Sequence, residues 1–334
     1  MLNSRRMAKK TVLVTQLEYH KAESSFVSTP GLDCRPAPEG EADLAAAVRE
    51  ARALYVVVGP RVYSGPLYES LPAGGVIARF GVGHDGIDKG KATAAGLLCT
   101  NTPGVLNQSV AEHTMLLVSA AARQLPGIAT SMARRSWDAV MGEELQGKTL
   151  VIVGCGGIGR SLARIAALGY GMRVVGCSRP GAPPAVAVEH FDEVTDDFTT
   201  AVPDADFVSL HMSASRENLH WLNRERLASL GERCWLINTA RGWMVDEAAL
   251  FDALAAGRLA GAALDVFTHE PYTPVEGGGD LRTLPNVILT PHVGSHTVTA
   301  NRRMAERALH NILLAERRAF AEMDLVNREV LTRR

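Results

Sequence analysis

Near the middle of the chain the sequence reads Leu150-Val-Ile-Val-Gly154-Cys-Gly156-Gly157-Ile158-Gly159-Arg-Ser-Leu-Ala163. An apolar run precedes the spacing Gly-x-Gly-x-x-Gly, and helix-forming residues follow it, which is typical of a strand, a tight turn and a helix. The first glycine permits the turn, the second lets the backbone approach a pyrophosphate, and the third lets helix and strand pack closely. Unpaired N–H groups at the start of the helix attract phosphate. The sequence therefore predicts a dinucleotide site, with the following residues in contact with the cofactor: Gly154, Gly156, Gly157, Ile158 and Gly159.

The end of the next predicted strand bears on which dinucleotide binds, and it reads Val174-Val-Gly-Cys-Ser178-Arg179. An NAD site usually has an acidic residue there, about 20 residues after the glycines, to accept hydrogen bonds from the ribose. Here a hydroxyl and a guanidinium stand where a 2′-phosphate would lie, and a guanidinium suits phosphate. We therefore expect Ser178 and Arg179 to favour NADP. Use of NAD is the alternative, with Arg179 an ordinary surface residue.

Short apolar segments alternate with Ala- and Leu-rich segments along the chain. The apolar segments are uninterrupted, as in strands that are buried on both faces of a parallel sheet. We predict strands at 11–15, 54–58, 76–80, 150–153, 173–177, 207–210, 234–237, 261–266 and 287–289. We predict helices at 43–52, 110–124, 158–168, 246–255 and about 300–320. The repetition of strand and helix indicates an α/β protein with doubly wound parallel sheets.

The length of 334 residues predicts about two domains at roughly 150 residues per domain. The two long helices, near 110–124 and 300–320, suit a chain that leaves one domain and later returns to it. We therefore expect a dinucleotide-binding domain of residues 101–295. It would be inserted into a substrate domain of residues 1–100 and 296–334.

The composition excludes several classes of partner. Lys and Arg number 35 and Asp and Glu number 36, so the formal net charge is −1 and no global field recruits nucleic acid or an anionic membrane. No apolar run approaches the roughly 20 residues that a membrane helix requires. The five cysteines are scattered and form no Cys-x-x-Cys pair, which argues against a disulfide scaffold and a cysteine zinc site. We expect a cytoplasmic protein without a metal.

Three further motifs place polar residues at or just after the carboxyl ends of predicted strands, where ligands bind in open α/β sheets. They read Ile237-Asn-Thr-Ala240-Arg241, Ala263-Leu-Asp265-Val-Phe-Thr-His-Glu270 and Thr290-Pro-His292. Hydride loss from a secondary alcohol needs a base for the hydroxyl proton, and imidazole titrates in the useful range. A carboxylate beside the imidazole favours its protonated form and fixes its tautomer, and a guanidinium polarises a carbonyl. Arg241, Glu270 and His292 are therefore the predicted catalytic residues.

Together these motifs resemble the D-isomer-specific 2-hydroxyacid dehydrogenase family over nearly the whole chain. The resemblance implies His292 as the acid and base, Glu270 as its partner and Arg241 as the cation that binds substrate. It also implies that Asp265, Ala240 and Ser109 lie near the cofactor. The reaction implied is hydride transfer between NAD(P)H and a small 2-keto acid or D-2-hydroxy acid, as in glyoxylate and hydroxypyruvate reductases.

The same resemblance extends to the segment Phe80-Gly-Val82-Gly83-His-Asp-Gly-Ile-Asp88. It is similar to the family's substrate loop, whose backbone N–H groups bind the substrate carboxylate, and Val82 and Gly83 would supply them. The resemblance further implies a Rossmann-type cofactor domain inserted into a flavodoxin-like substrate domain, and a homodimer.

Two features depart from the family pattern. Ser213 and Ala214 replace a proline-containing stretch, so contacts near the nicotinamide ribose are expected to differ. The interval from Glu270 to His292 is long and contains Gly277–Gly279, which suggests an enlarged loop beside the active site. That loop bears on substrate specificity and not on the type of reaction.

Several alternatives stay open at this stage. His269, next to Glu270, is a rival base, and His292 with His296 has the spacing of half a metal site, although Pro291 and Gly294 disfavour a continuous helix there. A formate dehydrogenase-like enzyme would not require the Glu–His pair. A short-form phosphoglycerate dehydrogenase is a narrower alternative, and a non-catalytic dinucleotide sensor is a broader one.

Overall fold

Residues 9–179 and 189–333 are described by the computed structural model, and they divide into two units. The first unit has two parts, one that ends at Leu106 and one that begins at His296. The second unit is Asn107–Ser295. The second unit is therefore inserted into the first along the sequence. The first boundary lies at the start of a long helix, a few residues beyond the predicted one. The outer limits expected at residues 1 and 334 lie outside the described residues.

The first unit contains a five-stranded parallel sheet in the order β2-β1-β3-β4-β5, which is the flavodoxin-like order. Its strands are β1 (Lys10–Thr15), β2 (Leu32–Ala37), β3 (Tyr55–Val58), β4 (Val76–Arg79) and β5 (Leu98–Thr100). Its helices are α1 (Gln16–Lys21), α2 (Glu23–Ser28), α3 (Glu41–Ala51), α4 (Leu67–Ser70), α5 (Lys89–Ala94) and the late helix α12 (Val298–Glu316).

The core of the first unit lies on its central strands, because every residue of β3 and β4 is buried. Leu44 and Val48 of α3 pack into this core, and α12 packs against β4 and α2. The last part of the chain is held by Asn327, which is fully buried. Its side chain accepts a hydrogen bond from the Cys99 N–H at 2.8 Å and donates one to the Leu97 carbonyl at 2.9 Å. The C-terminal segment is thereby part of the first unit.

The second unit contains a seven-stranded parallel sheet in the order β12-β11-β10-β9-β6-β7-β8. Its strands are β6 (Thr149–Val153), β7 (Arg173–Cys177), β8 (Glu193–Thr195), β9 (Phe207–Leu210), β10 (Trp235–Asn238), β11 (Gly261–Leu264) and β12 (Val287–Leu289). Its helices are α6 (Asn107–Ala122), α7 (Leu125–Ala133), α8 (Gly157–Tyr170), α9 (Phe198–Ala201), α10 (Arg224–Ala228) and α11 (Glu247–Ala255). Counted from β6, this is the Rossmann order with one added edge strand, and the order reverses between β6 and β9.

Helices cover both faces of this second sheet. Leu117 of α6 and Leu162 of α8 pack with Ile152 on one face, whereas Leu250 of α11 packs with Leu210 on the other. Both faces of the central strands are therefore apolar, which explains the uninterrupted apolar runs in the sequence. None of the described helices has the length and apolar character that crossing a membrane requires.

The predicted class, an α/β protein with two parallel sheets of which one is Rossmann-type, is confirmed. The sequence prediction missed strands β2, β5 and β8. Strand β2 contains Arg35 and Pro36 and is only partly buried, and β8 lies at an exposed sheet edge. The predicted strand 261–266 is too long, because β11 ends at Leu264 and Asp265 already lies beyond it. The prediction also missed the helices α1, α2, α4, α5, α7, α9 and α10.

Candidate active site

The glycine turn of the second unit has the geometry that a pyrophosphate requires. Gly154 follows β6 with φ of +105°, and a Cβ there would lie 2.6 Å from the His211 carbonyl oxygen. A Cβ at Gly159 would lie 2.3 Å from the Gly154 carbonyl oxygen, so only glycine lets α8 pack this closely on the turn. At Gly156 a Cβ would meet nothing within 4 Å. Gly156 is the N-cap of α8, so the space is open at the start of that helix, where phosphate groups commonly bind.

Ser178 and Arg179 follow β7, the neighbour of β6 in the sheet. The Ser178 N–H donates to the Thr195 carbonyl at 2.9 Å, which fixes the backbone at this point. The Ser178 side chain is half-buried and Arg179 is exposed. A guanidinium in this position is accessible to a ligand that lies across the end of β7. The nine residues that follow Arg179 lie outside the described part of the chain.

Arg241 lies in the turn after β10, and Asn238 shapes that turn. Asn238 is 1% exposed. Its amide donates to the Arg241 carbonyl at 2.9 Å, and its side-chain oxygen accepts the Ala240 N–H at 3.0 Å. A Cβ at Gly242 would lie 1.9 Å from the carbonyl carbon of Phe267. Glycine at this position therefore lets the Arg241 turn lie directly against the segment that leads to Glu270.

Glu270 and His292 come from different loops and meet in a hydrogen bond. Glu270 Oε2 lies 2.7 Å from His292 Nδ1, and Glu270 Oε1 accepts the Phe267 N–H at 3.1 Å. A carboxylate only accepts, so Nδ1 carries the hydrogen and Nε2 is the ring nitrogen turned away from Glu270. The two side chains are 37% and 33% exposed, respectively. The pair is thus fixed by the protein and reachable from solvent.

The loop that carries His292 is held by Asp265, which is 1% exposed. One carboxylate oxygen accepts the Val293 N–H at 2.9 Å, and the other accepts the Gly294 N–H at 2.8 Å. The Asp265 carbonyl accepts the His292 N–H at 2.8 Å. His292 itself has φ of +52°, an unfavourable conformation for a residue with a side chain. The contacts to Asp265 stabilise this conformation.

Two side chains complete the surroundings of Asp265. Thr290 Oγ1 lies 2.6 Å from Asp265 Oδ1, and His113 Nε2 of α6 lies 3.3 Å from the same oxygen. Burial alone would raise the pKa of this carboxyl. The hydrogen bonds from His113, Thr290 and the two backbone N–H groups outweigh burial and lower the pKa below the usual aspartate value. Asp265 is therefore ionised, and its oxygens are engaged by donors of its own unit.

Glu247 and His211 are further polar residues of this edge that sequence reasoning missed. Glu247 begins α11, is buried, and accepts the Thr268 N–H at 2.5 Å, next to the Glu270 segment. His211 follows β9 at the point where the strand order reverses, and its Nε2 lies 2.8 Å from Ser209 Oγ. Burial lowers the pKa of His211 to about 4, so the ring is neutral at neutral pH. Polar residues at the ends of apolar strands were the available signal for these positions.

The predicted substrate loop lies in the first unit, after β4. Gly81 has φ of +142°, and the Val82 carbonyl accepts a hydrogen bond from the Asn101 side chain at 2.7 Å. Arg79 is 8% exposed and donates to the Phe80 and Val58 carbonyls. The carbonyl groups are thus engaged by side chains of the unit, and a buried cation lies against the loop. Both features suit a loop that binds an anion.

The remaining predicted residues are placed as follows. Ser109 is half-buried in the first turn of α6, and His269 is exposed. Ser213 is exposed and Ala214 half-buried after β9. Gly279 of the enlarged loop packs on the Phe251 ring of α11. Within residues 9–179 and 189–333, no group of three or more His, Cys, Asp or Glu side chains is arranged to hold a metal ion.

Comparisons with known proteins identify the family of the chain. The profile of the family described as D-isomer specific 2-hydroxyacid dehydrogenase, NAD binding domain, matches residues 115–294. A glyoxylate reductase of Thermococcus litoralis is 39% identical over 294 residues, which are 85% of this chain and 86% of the relative. A crystal structure of a Thermus thermophilus protein has a TM-score of 0.76 at 34% identity and covers 92% of this chain and 97% of that chain.

A third relative has a bound cofactor. It is the NADPH-dependent glyoxylate/hydroxypyruvate reductase of Sinorhizobium meliloti, in complex with NADP and malonate. Its TM-score is 0.77 at 28% identity, with coverage of 92% of this chain and 93% of that chain. Two parallel-sheet units, a Rossmann glycine turn and a His–carboxylate pair define an oxidoreductase that uses a nicotinamide dinucleotide. The chain belongs to the D-isomer specific 2-hydroxyacid dehydrogenase family, so the resemblance found in its motifs is confirmed.

The role of Asp265 leads to a prediction about stability. Asp265→Asn replaces an acceptor oxygen by an N–H group that faces backbone donors, and we expect the free energy of unfolding at pH 7 to fall by about 1–3 kcal/mol. Because folding lowers the pKa of Asp265, its stabilising effect is present at neutral pH and is lost as the pH falls through the lowered pKa. Urea unfolding at neutral and acidic pH measures both effects.

Asp204→Asn, at an exposed position of the same unit, serves as the control and should change unfolding little. The difference between wild type and Asp265→Asn should shrink on acidification. A difference that stays constant from neutral pH to below the aspartate range would show that the charge of Asp265 does not stabilise the loop.

Proposed function

We propose that the chain reduces small 2-keto acids to D-2-hydroxy acids with NADPH, as a glyoxylate/hydroxypyruvate-type reductase. The observation that carries the proposal is the 2.7 Å hydrogen bond between Glu270 and His292 at the carboxyl edge of the sheet that bears the glycine turn. A proton-transfer pair beside a dinucleotide turn is what alcohol–carbonyl interconversion requires. The names of the relatives from Thermococcus litoralis and Sinorhizobium meliloti support the substrate class.

The proton step follows from the orientation of His292. When bound, a nicotinamide dinucleotide supplies the hydride in the direction of reduction. His292 Nε2 gives its proton to the carbonyl oxygen, and in the reverse direction it accepts the hydroxyl proton. Glu270 holds the hydrogen on Nδ1 and stabilises the imidazolium, because its carboxylate lies 2.7 Å away. His269 lacks such a role in this proposal, since only His292 forms the contact with Glu270.

Substrate binding is assigned to a cation and to backbone N–H groups. Arg241 binds the carboxylate and polarises the keto oxygen through its fork of donors. The N–H groups of Val82 and Gly83 bind the substrate carboxylate, and the buried Arg79 favours an anion at their loop. These groups recognise the part of the molecule that all 2-keto acids share. Substituents beyond the keto carbon are read by other residues.

Cofactor binding is assigned to the glycine turn and its neighbours. The N–H groups after Gly156 bind the pyrophosphate, and Ser178 and Arg179 bind the 2′-phosphate of NADP. We propose that Ser109 and Ala240 contact the nicotinamide half of the cofactor and that Asp265 serves that end by holding the His292 loop. The NADPH dependence of the Sinorhizobium meliloti relative supports the cofactor preference.

The central experiment is steady-state reduction of a panel of 2-keto acids by wild type and by His292→Ala. We expect turnover of glyoxylate and hydroxypyruvate, and a loss in kcat of about 10²- to 10⁴-fold in His292→Ala, the range for removal of a general acid. Cofactor affinity, measured by fluorescence titration, should change little because the glycine turn is untouched. His269→Ala is the matched control and should stay active.

Other outcomes select other functions. Turnover of 3-phosphoglycerate in preference to the short keto acids would indicate a short-form phosphoglycerate dehydrogenase. Tight binding of NADPH without turnover of any 2-keto acid would indicate a dinucleotide sensor. Loss of cofactor binding along with activity in His292→Ala would contradict the assigned proton-transfer role.

The cofactor preference is tested by Arg179→Ala. Removal of one charge-assisted hydrogen bond to the 2′-phosphate should weaken NADPH binding by about 1–3 kcal/mol and leave NADH binding nearly unchanged. Dissociation constants for both cofactors, measured by isothermal titration calorimetry, check this expectation. Equal losses for NADPH and NADH would mean that Arg179 does not read the 2′-phosphate. Arg173→Ala, at the exposed start of the same strand, is the control.

We further propose that the protein is a cytoplasmic homodimer. The five cysteines are free thiols, which suits a reducing compartment. The nine-residue helix α7 has no buried residue although most of it is apolar. In this stretch of the sequence the second unit exposes the following large apolar side chains: Leu116, Leu125, Met132, Trp137, Val140 and Met141. An exposed apolar surface of this kind is typical of a protein interface, and a second copy of the chain is the proposed occupant.

The double variant Trp137→Ser/Met141→Ser tests this interface. These two side chains are 87% and 92% exposed, so their replacement should leave the fold of the chain intact and weaken only the contact between copies. Light scattering after size-exclusion chromatography should give a dimer for wild type and a monomer for the variant. Val27→Ser, exposed in the first unit, is the control. A dimer of unchanged stability in the double variant would place the interface elsewhere.

A further inference from the structure

His113 forms a polar triangle with Asp265 and Thr290 inside the second unit. Its Nε2 lies 3.1 Å from Thr290 Oγ1 and 3.3 Å from Asp265 Oδ1, and these two oxygens lie 2.6 Å apart. The single hydroxyl hydrogen of Thr290 goes to the carboxylate, which only accepts. His113 Nε2 must therefore carry a hydrogen and donate it to the two oxygens.

The triangle lies directly behind the backbone that carries His292. Asp265 binds the N–H groups of Val293 and Gly294 with the same carboxylate that His113 contacts. The His113 ring also packs beside the backbone, since a Cβ at Gly294 would lie 3.6 Å from its Cδ2. His113 thus contacts the loop in two ways, by donating a hydrogen bond and by filling space.

His113 belongs to a well-packed element. Helix α6 has sixteen residues, and it packs against α8, β10 and β11. The loop at His292, in contrast, has a positive φ and no regular secondary structure. The hydrogen bond from His113 to the Asp265 carboxylate therefore connects the irregular His292 loop to the well-packed helix α6.

We propose that His113 is a positioning residue, which acts through Asp265 and Thr290 to hold the His292 imidazole where it exchanges a proton. The proposal rests on the proposed function, in which His292 is the acid and base. Proton transfer depends on hydrogen-bond distance, so a loop displaced by a fraction of an ångström slows the chemical step. In this proposal His113 contacts neither the proton that His292 transfers nor the substrate.

Two substitutions separate the hydrogen bond from the packing. His113→Phe keeps a ring but removes the donor, and His113→Gln restores an N–H donor near the position of Nε2. In His113→Phe we expect kcat to fall about 10- to 100-fold, the scale of a misplaced catalytic group, while the KM values for NADPH and keto acid change less than about threefold. His113→Gln should recover most of kcat, and Glu112→Gln, exposed on the same helix, should match wild type.

Two results would overturn the proposal. One is a kcat for His113→Phe within twofold of wild type. The other is an equal loss in His113→Phe and His113→Gln, which would show that the hydrogen bond is not what matters. If His113→Phe fails to fold, Thr290→Val replaces it, because this nearly isosteric change removes the hydroxyl between His113 and Asp265. It should lower kcat without a matching change in KM, and unchanged kcat would overturn the proposal.

Amide hydrogen exchange provides a readout that needs no turnover. In His113→Phe the backbone amides of Val293 and Gly294 should exchange at least about tenfold faster than in wild type, because the carboxylate that protects them is less well held. Amides of β6 should be unaffected. If amide exchange is faster in His113→Phe but the wild type reduces no keto acid, the proposed function is wrong and the contact between His113 and the loop still stands. If amide exchange in His113→Phe is unchanged, His113 does not hold the loop and the positioning proposal is wrong.

Discussion

The buried carboxylate of Asp265 is the constraint from which the geometry of the His292 loop follows. Removing an ionised carboxylate from water is costly unless donors replace the lost hydration. Two backbone N–H groups, the Thr290 hydroxyl and the His113 ring provide that replacement. Because all the donors but one belong to the loop itself, satisfying the charge also determines the path of the backbone. The positive φ of His292 is retained for this reason.

Glu270, the hydrogen-bond partner of His292, is positioned by the same type of contact. Glu270 accepts the Phe267 N–H, and Glu247 accepts the Thr268 N–H, so carboxylates fix the backbone of both loops. Strand β11, which precedes the Glu270 loop, is fully buried, and β12, which precedes the His292 loop, is held by its pairing with β11. Rigid strands and carboxylate–backbone hydrogen bonds together bring Glu270 to 2.7 Å from His292, although neither loop is regular.

The sequence predicts those parts of the fold and site that depend on residues close together in the chain. The glycines at 154, 156 and 159 have a spacing that only a few turns satisfy, and the central strands are apolar because both of their faces are covered. The edge strand β2, with Arg35 and Pro36, carries no such signal. The contact between His113 and Thr290 joins residues 177 positions apart, so no local pattern reveals it. Asp265 was expected near the cofactor from a resemblance, whereas its hydrogen bonds to the loop became visible only in the fold.

The difference between local sequence patterns and contacts between distant residues also bears on which substrate binds. In the proposed function, Arg241 and the N–H groups of Val82 and Gly83 address a carboxylate and a keto oxygen, which every 2-keto acid possesses. None of them senses the substituent on the keto carbon, so the reaction type can be constant while the substrate varies. The loop with Gly277–Gly279 packs on Phe251 of α11 and carries neither member of the Glu270–His292 pair. In the proposed function, changes in this loop alter which acid fits, because the hydrogen bonds that place the imidazole lie in other segments.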